Sequence, residues 1–394
     1  MAKSLLLNVL VDVLGNYVEG LTRENLKLGV WSGKIEFSNL LLKESALDQL
    51  NLPIRVVKGS LNKLVVKVPW TALESKPVEV FVDGVYLLAT PLDFSKISPE
   101  DAKKMIFAST RAKLKQVEDA VLLALKNQDS KDENTAQKTS YVQQLVTRIV
   151  DNLEVKITNL HIRYEDSYAD PKSGTFSCGV TLEQILLTTT DETWTAKFVK
   201  REVANKASTA VHKLGTIQNA TVYWNVSSES YVRADNNAWR EFMHRTIYRN
   251  KENNDTGFSY MLKPPNDLQV KLIHREVCNE TTPNVDVLVE SSLISFSVSQ
   301  SQYRQLMLLV KSFGELDRKK QVSSYRPNRR PASDPRGWWH YAYMLVVGKD
   351  RSINAKVSFL SYCLYFFDLE LIFSKIILCS WRLCLFVASL ELST

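Results

Sequence analysis

Short apolar alternations recur along most of the chain and give way in places to helical spacing. Residues 51–73, NLPIRVVKGSLNKLVVKVPWTAL, read as a strand, a turn at Lys58, Gly59 and Ser60, and a second strand closed by Pro69 and Trp70. In the second strand Leu64, Val66 and Val68 point one way while Lys63, Val65 and Lys67 point the other. Leu26, Leu28 and Val30 alternate before a turn at Gly33, and Ile35 and Phe37 alternate after it, which predicts a β-hairpin. Val78, Val80 and Val82 form another strand, which Asp83 and Gly84 break ahead of Tyr86, Leu87 and Leu88. Beyond Glu154 the pattern returns in Val155 and Ile157, and again in Leu160, Ile162 and Tyr164. Further strands are expected at 180–188, 214–226, 268–274, 285–289 and 293–298. Neighbouring strands joined by short turns favour an antiparallel meander.

Helical spacing begins at the N-terminus. In residues 4–20 the polar Ser4, Asn8, Asp12, Asn16 and Glu19 form one narrow stripe on an otherwise apolar helix that carries Leu6, Leu10, Val13, Leu14 and Tyr17. Such a helix is either buried as an end cap or inserted in lipid. Its neutral-to-acidic stripe is not that of a basic membrane-surface helix. Ser98, Pro99, Glu100 and Asp101 supply an N-cap, a first-turn proline and first-turn acids, so a helix is expected to about residue 126. Residues 127–139 are a polar linker, and 142–153 a second amphipathic helix. Short helices are expected at 236–249 and 300–320, and residues 318–337, rich in Arg, Lys and Pro, as an exposed loop. The class is α+β.

Composition narrows the function more by exclusion than by indication. With 394 residues, 45% of them hydrophobic and 24% charged, the chain is a globular protein. The net charge of +7 permits contact with anionic membranes or nucleic acid and demands neither. The five cysteines match no zinc or disulfide framework, and the five histidines form no ligand pair in sequence. No phosphate loop or nucleophile elbow is present, so no cofactor or metal is implied. Glu165 and Asp166 read as charged closure of a strand rather than as general acids. Trp338 and Trp339, near Arg326, Arg329, Arg330 and Arg336, offer a base-stacking surface, with a packed aromatic segment as the plainer reading. Residues 357–390 are apolar throughout, yet Asp368, Glu370, Lys375 and Arg382 interrupt every long window, unlike a clean membrane span.

What the strands do offer is a repeated one-sided apolar face. Its candidate residues are Leu26, Leu28, Val30, Ile35, Phe37, Ile54, Val56, Leu64, Val66, Val68, Val78, Val80 and Val82. Leaving one Val or Leu in water forfeits roughly 1.5–3 kcal/mol. About ten such residues would exceed the roughly 5–15 kcal/mol that stabilises a domain. Something must cover the face: the helices, as in an ordinary core, or lipid tails.

An ordered series of short motifs adds to this. Leu14-Gly15-Asn16-Tyr17-Val18 comes first, then Leu28-Gly29-Val30-Trp31-Ser32-Gly33-Lys34-Ile35 and Asn39-Leu40-Leu41-Leu42-Lys43. Leu52-Pro53 through Pro69-Trp70, Asp151-Asn152-Leu153 and Asn159-Leu160-His161-Ile162-Arg163-Tyr164-Glu165-Asp166 follow. Tyr223-Trp224-Asn225 and Pro335-Arg336-Gly337-Trp338-Trp339-His340-Tyr341-Ala342 complete the series. Over roughly residues 1–345 the chain resembles the N-terminal part of the chorein N-terminal family, the bridge-like lipid transfer proteins typified by vacuolar protein sorting-associated protein 13.

The resemblance implies a strongly curved antiparallel sheet forming an apolar groove, capped by the N-terminal helix and flanked by a few amphipathic helices. It implies non-enzymatic transfer of glycerophospholipids at organelle contact sites, with the N-terminal end facing the endoplasmic reticulum membrane and the protein cytoplasmic and peripheral. The residues above become groove lining, and Leu6, Leu10, Val13, Leu14 and Tyr17 the donor-end cap. The expected division is 1–126 as the chorein N-terminal domain, 127–139 as linker, 140–345 as continuation of the groove and 346–394 as an atypical apolar tail, a read-through segment or an anchor. A tether without transport of its own is the alternative.

Overall fold

The computed structural model describes residues 33–46, 53–73, 75–92, 151–170, 174–199, 210–252, 259–275, 285–291, 294–323 and 325–351, with isolated positions at 15, 17–20, 100–118 and 149. The predicted segments 4–20, 98–126 and 142–153 fall largely outside these, and linker 127–139 and tail residues 352–394 wholly so.

Among the described residues ten strands form one open, curved sheet. In chain order they are β1 (Lys34–Leu41), β2 (Ile54–Lys67), β3 (Glu79–Pro91), β4 (Glu154–Asp166), β5 (Phe176–Thr190), β6 (Val211–Gln218), β7 (Thr221–Asn225), β8 (Tyr260–Leu262), β9 (Leu268–His274) and β10 (Val285–Ser291). Their spatial order is β1-β2-β3-β4-β5-β6-β9-β10, with β7 beside β5 and β8 beside β7. Among the described residues three helices have defined bounds: α1 (Asn236–Glu252), between β7 and β8, and α2 (Gln300–Ser323) and α3 (Pro335–Arg351), after β10.

The α+β class holds, with one correction to the antiparallel expectation. The β3–β4 junction is parallel, Val80 beside Val155 and Leu87 beside Ile162. A parallel pair needs a long crossover rather than a tight turn, and residues 92–153 provide one. Helices expected at 236–249 and 300–320 are found as α1 and α2. The loop expected at 318–337 is shorter, because α2 runs to Ser323 and α3 starts at Pro335. There Asp334 caps the new helix, its Oδ1 accepting from Gly337 N at 2.9 Å. The strand expected at 214–226 is divided into β6 and β7. The one expected at 293–298 is reduced among its described residues to a bridge from Phe296 to Leu262 in the unforeseen β8.

The turn expected at residues 58–60 lies inside the continuous β2, where the register shifts at a bulge between Val56 and Lys58. The break expected at Asp83 and Gly84 lies inside β3 and the two short strands after Glu154 inside β4, and these two corrections share one cause. Each of these strands contains a place where apolar positions are three apart rather than two. The pairs are Phe37 and Leu40, Leu61 and Leu64, Val82 and Val85, Ile157 and Leu160, Leu182 and Ile185, and Ile217 and Ala220. The cross-strand register aligns all of them. Asn39, Asn62, Gly84, Asn159, Glu183 and Asn219 form one row across the sheet, bracketed by the pairs Ser38 with Lys63, Lys63 with Asp83, Asp83 with Thr158, Thr158 with Gln184, and Gln184 with Gln218.

Four residues of this row are left-handed: Asn39, Gly84, Asn159 and Asn219, with φ of 55°, 69°, 57° and 51°. A left-handed residue costs an L-amino acid roughly 1–2 kcal/mol, and Gly and Asn tolerate it best. It also resets the alternation, so the residues flanking the crease point to the same side. Because the strands reset together, their hydrogen-bond register stays in step. Polar contacts fasten the crease on one side of the sheet: Asp83 Oδ1 accepts from Thr158 Oγ1 at 2.6 Å and Asn159 Nδ2 at 2.8 Å, and Tyr248 of α1 donates to Asn159 Oδ1 at 2.5 Å.

Candidate functional site: an apolar sheet face

The two sides of the sheet differ in chemistry. On one side α1 lays Trp239, Met243 and Ile247 against Tyr86. Beneath it His161, Arg163, Glu165, Thr181, Thr221 and Tyr223 are all buried, and they bond to one another or to the covering chain. His161 Nδ1 meets the Met243 carbonyl and its Nε2 the Tyr223 hydroxyl, both at 2.9 Å. Arg163 Nε donates to Glu165 Oε1 at 2.7 Å, and Glu165 also accepts from Ser230 Oγ and the Tyr231 amide. Burial lowers the His161 pKa to about 3, leaving a neutral ring that only fastens the helix.

The opposite side is hydrocarbon. Five rows can be followed from strand to strand. Ile35, Val66, Val80, Val155, Leu187, Gly215, Val270 and Val289 form the first, and Phe37, Leu64, Val82, Ile157, Ile185, Ile217 and Leu268 the second. Beyond the crease come Leu40, Leu61, Val85, Leu160, Leu182 and Ala220. Next are Leu87, Ile162, Val180 and Val222, with Gly59 where Leu42 crosses over, and last Val56, Ala89, Tyr164, Cys178 and Trp224. Without the crease, the alternation would have sent the last three rows to the α1 side.

Magnitudes follow from strand geometry. Eight strands at about 4.8 Å spacing give roughly 34 Å across the widest rows. An acyl chain occupies about half of a roughly 30 Å bilayer core, so it fits across the face. At one end the face is bounded by buried Lys213, whose Nζ donates to the Leu153 carbonyl and Thr189 Oγ1, both at 3.3 Å. At the other end α2 covers it, packing Leu306, Leu309 and Phe313 on Tyr164, Phe176, Cys178 and Trp224. The buried Gln302 and Gln305 stitch α2 to the Trp224 and Val226 carbonyls, both at 3.0 Å. Burial raises the Cys178 thiol to about 12, so it is not a nucleophile. Ile149 and Leu153 pack over the β1–β3 end. On this face Val80, Val82, Val85, Ile157, Ile162 and Val180 are partly exposed, whereas Leu160, Leu182, Ile185, Leu187, Ile217, Leu268 and Val270 are buried.

Of the sequence-derived residues, Ile35, Phe37, Leu64, Val66, Val68, Val78, Val80 and Val82 are brought into one cluster. Val56 lies in the last row, with Ile54 two residues before it. Leu26, Leu28 and Val30 lie outside the described residues, as do Leu6, Leu10, Val13 and Leu14 of the cap. Tyr17 is described, and its carbonyl accepts from the Lys43 amide at 2.9 Å. The sequence list missed the β4, β5, β6 and β9 positions, although the same alternation marks them.

The class this defines is a scaffold with one helix-covered polar side and one broad hydrocarbon side. Residues 1–357 match the model of the VPS13-like family N-terminal region, and the chain belongs to that family. It is 30% identical over 370 residues to the intermembrane lipid transfer protein VPS13 of Chaetomium thermophilum, a match covering 91% of this chain and 11% of that protein. It is 28% identical over 341 residues to the mouse intermembrane lipid transfer protein VPS13A and 28% over 382 residues to human VPS13C, in each case across 86% of this chain and 10% of the relative. The chain thus spans about a tenth of the length of these relatives. Among the described residues no helix is long and apolar enough to cross a membrane.

Proposed function

We propose that the chain is the donor-end entry of a lipid-transfer groove. It holds glycerophospholipid acyl chains on the apolar face and passes them on without covalent chemistry. The observation that carries this reading is the series of apolar rows across the sheet, six of whose residues, Val80, Val82, Val85, Ile157, Ile162 and Val180, are partly exposed. The names of the relatives support it. The finer assignments are part of the same proposal: the endoplasmic reticulum as donor membrane, a cytoplasmic peripheral location, the thirteen lining and five cap residues, and the division at the 127–139 linker.

Native mass spectrometry with lipid extraction tests it on the full chain. Wild type is expected to carry phospholipid. Val82→Asp with Ile157→Asp, neighbours in the second row, is expected to lose it while keeping the urea midpoint. Loss of the fold instead would make these residues an ordinary core. An intact wild type without lipid would leave a tether.

A further inference from the structure

Outside the groove, α3 and the loop before it carry a second surface. Trp339, Tyr343 and Val346 are 77%, 59% and 68% exposed. Their spacing of four and three residues, with exposed Arg336 three residues ahead of Trp339, places all four in one strip along the helix. The strip is built rather than frayed. Asp334 caps the helix, and Trp338 Nε1 donates to the Arg329 carbonyl at 2.7 Å, pinning the loop beside the first turn. Amides of Ser333 and Asp334 return to the Arg330 carbonyl at 2.9 and 3.1 Å. Tyr325 meets His340 edge-on at 5.6 Å. The loop therefore holds exposed Arg329 and Arg330 near the end of the helix that carries Arg336.

The charge here is mostly positive. Residues 325–351 contain five arginines, one lysine and two acids, Asp350 and Asp334, the latter engaged as the helix cap. The strip combines arginine at the first turn with Trp, Tyr and Val over about the next 15 Å, and Lys349, Asp350 and Arg351 end the same helix. A helix lying along a bilayer surface presents this combination, cations at the phosphates and aromatic and apolar side chains at the boundary. Nucleic acid would match the arginines and tryptophan but not an exposed Val346 at the far end.

We infer that this strip docks on an anionic membrane surface, with Arg329, Arg330 and Arg336 on lipid phosphates and Trp339, Tyr343 and Val346 at the boundary. The site deepens the lipid-transfer reading by naming a surface that meets a membrane, and its geometry is independent of whether the groove is filled.

The test is co-sedimentation of the full chain with phosphatidylcholine vesicles with and without phosphatidylserine, with lipid loading measured on the same preparations. Wild type is expected to prefer the anionic vesicles and to weaken as salt rises. Arg329→Gln, Arg330→Gln and Arg336→Gln together are expected to lower partitioning about a hundredfold, at about fivefold per cation. Trp339→Ser with Tyr343→Ser is expected to weaken it on both vesicles. Both variants should melt as wild type does and keep their bound lipid. Variants that bind vesicles as wild type does overturn the proposal. So does a Trp339-dependent dimer without vesicle binding, or capture of a single-stranded oligonucleotide in place of vesicles. Loss of bound lipid with vesicle binding retained would instead count against the groove.

Discussion

Gly84→Ala tests the crease, because Gly84 is held there twice over. Its φ of 69° is left-handed, and a Cβ built on it would lie 2.1 Å from Asn62 Nδ2 and 2.8 Å from Asn62 Cβ. The conformation alone costs an L-residue roughly 1–2 kcal/mol. The overlap adds roughly 1–3 kcal/mol, the usual range for overpacking, and it reaches the Asn62 Cβ, so rotating the amide does not remove it. The expected loss is therefore about 2–5 kcal/mol, against a typical domain stability of roughly 5–15 kcal/mol. With a urea dependence of about 3 kcal/mol per molar, the midpoint falls by roughly 0.7–1.7 M. Adding Asn62→Gly should recover the overlap part and leave the conformational part. Asn159→Ala, which keeps the left-handed strain and loses bonds to Asp83 and Tyr248, should also destabilise. A Gly84→Ala midpoint within about 0.2 M of wild type would refute a crease held by sterics.

Glu165→Ala leaves Arg163 buried without its carboxylate and is expected to cost about 3–5 kcal/mol. Replacing both, Arg163→Met with Glu165→Leu, should cost less, as chemical denaturation of the two variants would show. His161 titrates at about 3 in the fold, against about 6.5 in the unfolded chain. Below pH 6.5 the unfolded state therefore takes up a proton that the folded state refuses, and stability falls as pH falls. From pH 7 to 5, above the ordinary carboxylate range, the loss is about 2 kcal/mol. His161→Gln should flatten that slope, and parallel pH profiles would disprove the assignment. Deleting residues 358–394, beyond the family match, should leave the melting temperature unchanged, and a lowered one would show that the segment packs on the fold.

The sequence by itself determined which residues share a face within each short run. Leu64 and Val66, or Val80 and Val82, need only the two-residue period of a strand. The helices expected at 236–249 and 300–320 were legible for a similar reason, apolar spacing, and the structure adds the Ser299 to Gln302 capping box at the start of the second, with bonds of 3.2 and 2.8 Å. The ordered motifs also carried the family.

What the sequence did not determine is how the runs join. An alternation that skips a beat at Gly84 or Asn159 looks like the end of a strand when each strand is read alone. Only the register reveals that the skips lie in one row, so that they bend the sheet together instead of ending its strands. The parallel β3–β4 pairing and the arrival of α1 on the polar side were likewise decided by tertiary structure. Local propensity acts over a few residues, whereas the sides that β4, β5, β6 and β9 present are fixed by partners scores of residues away.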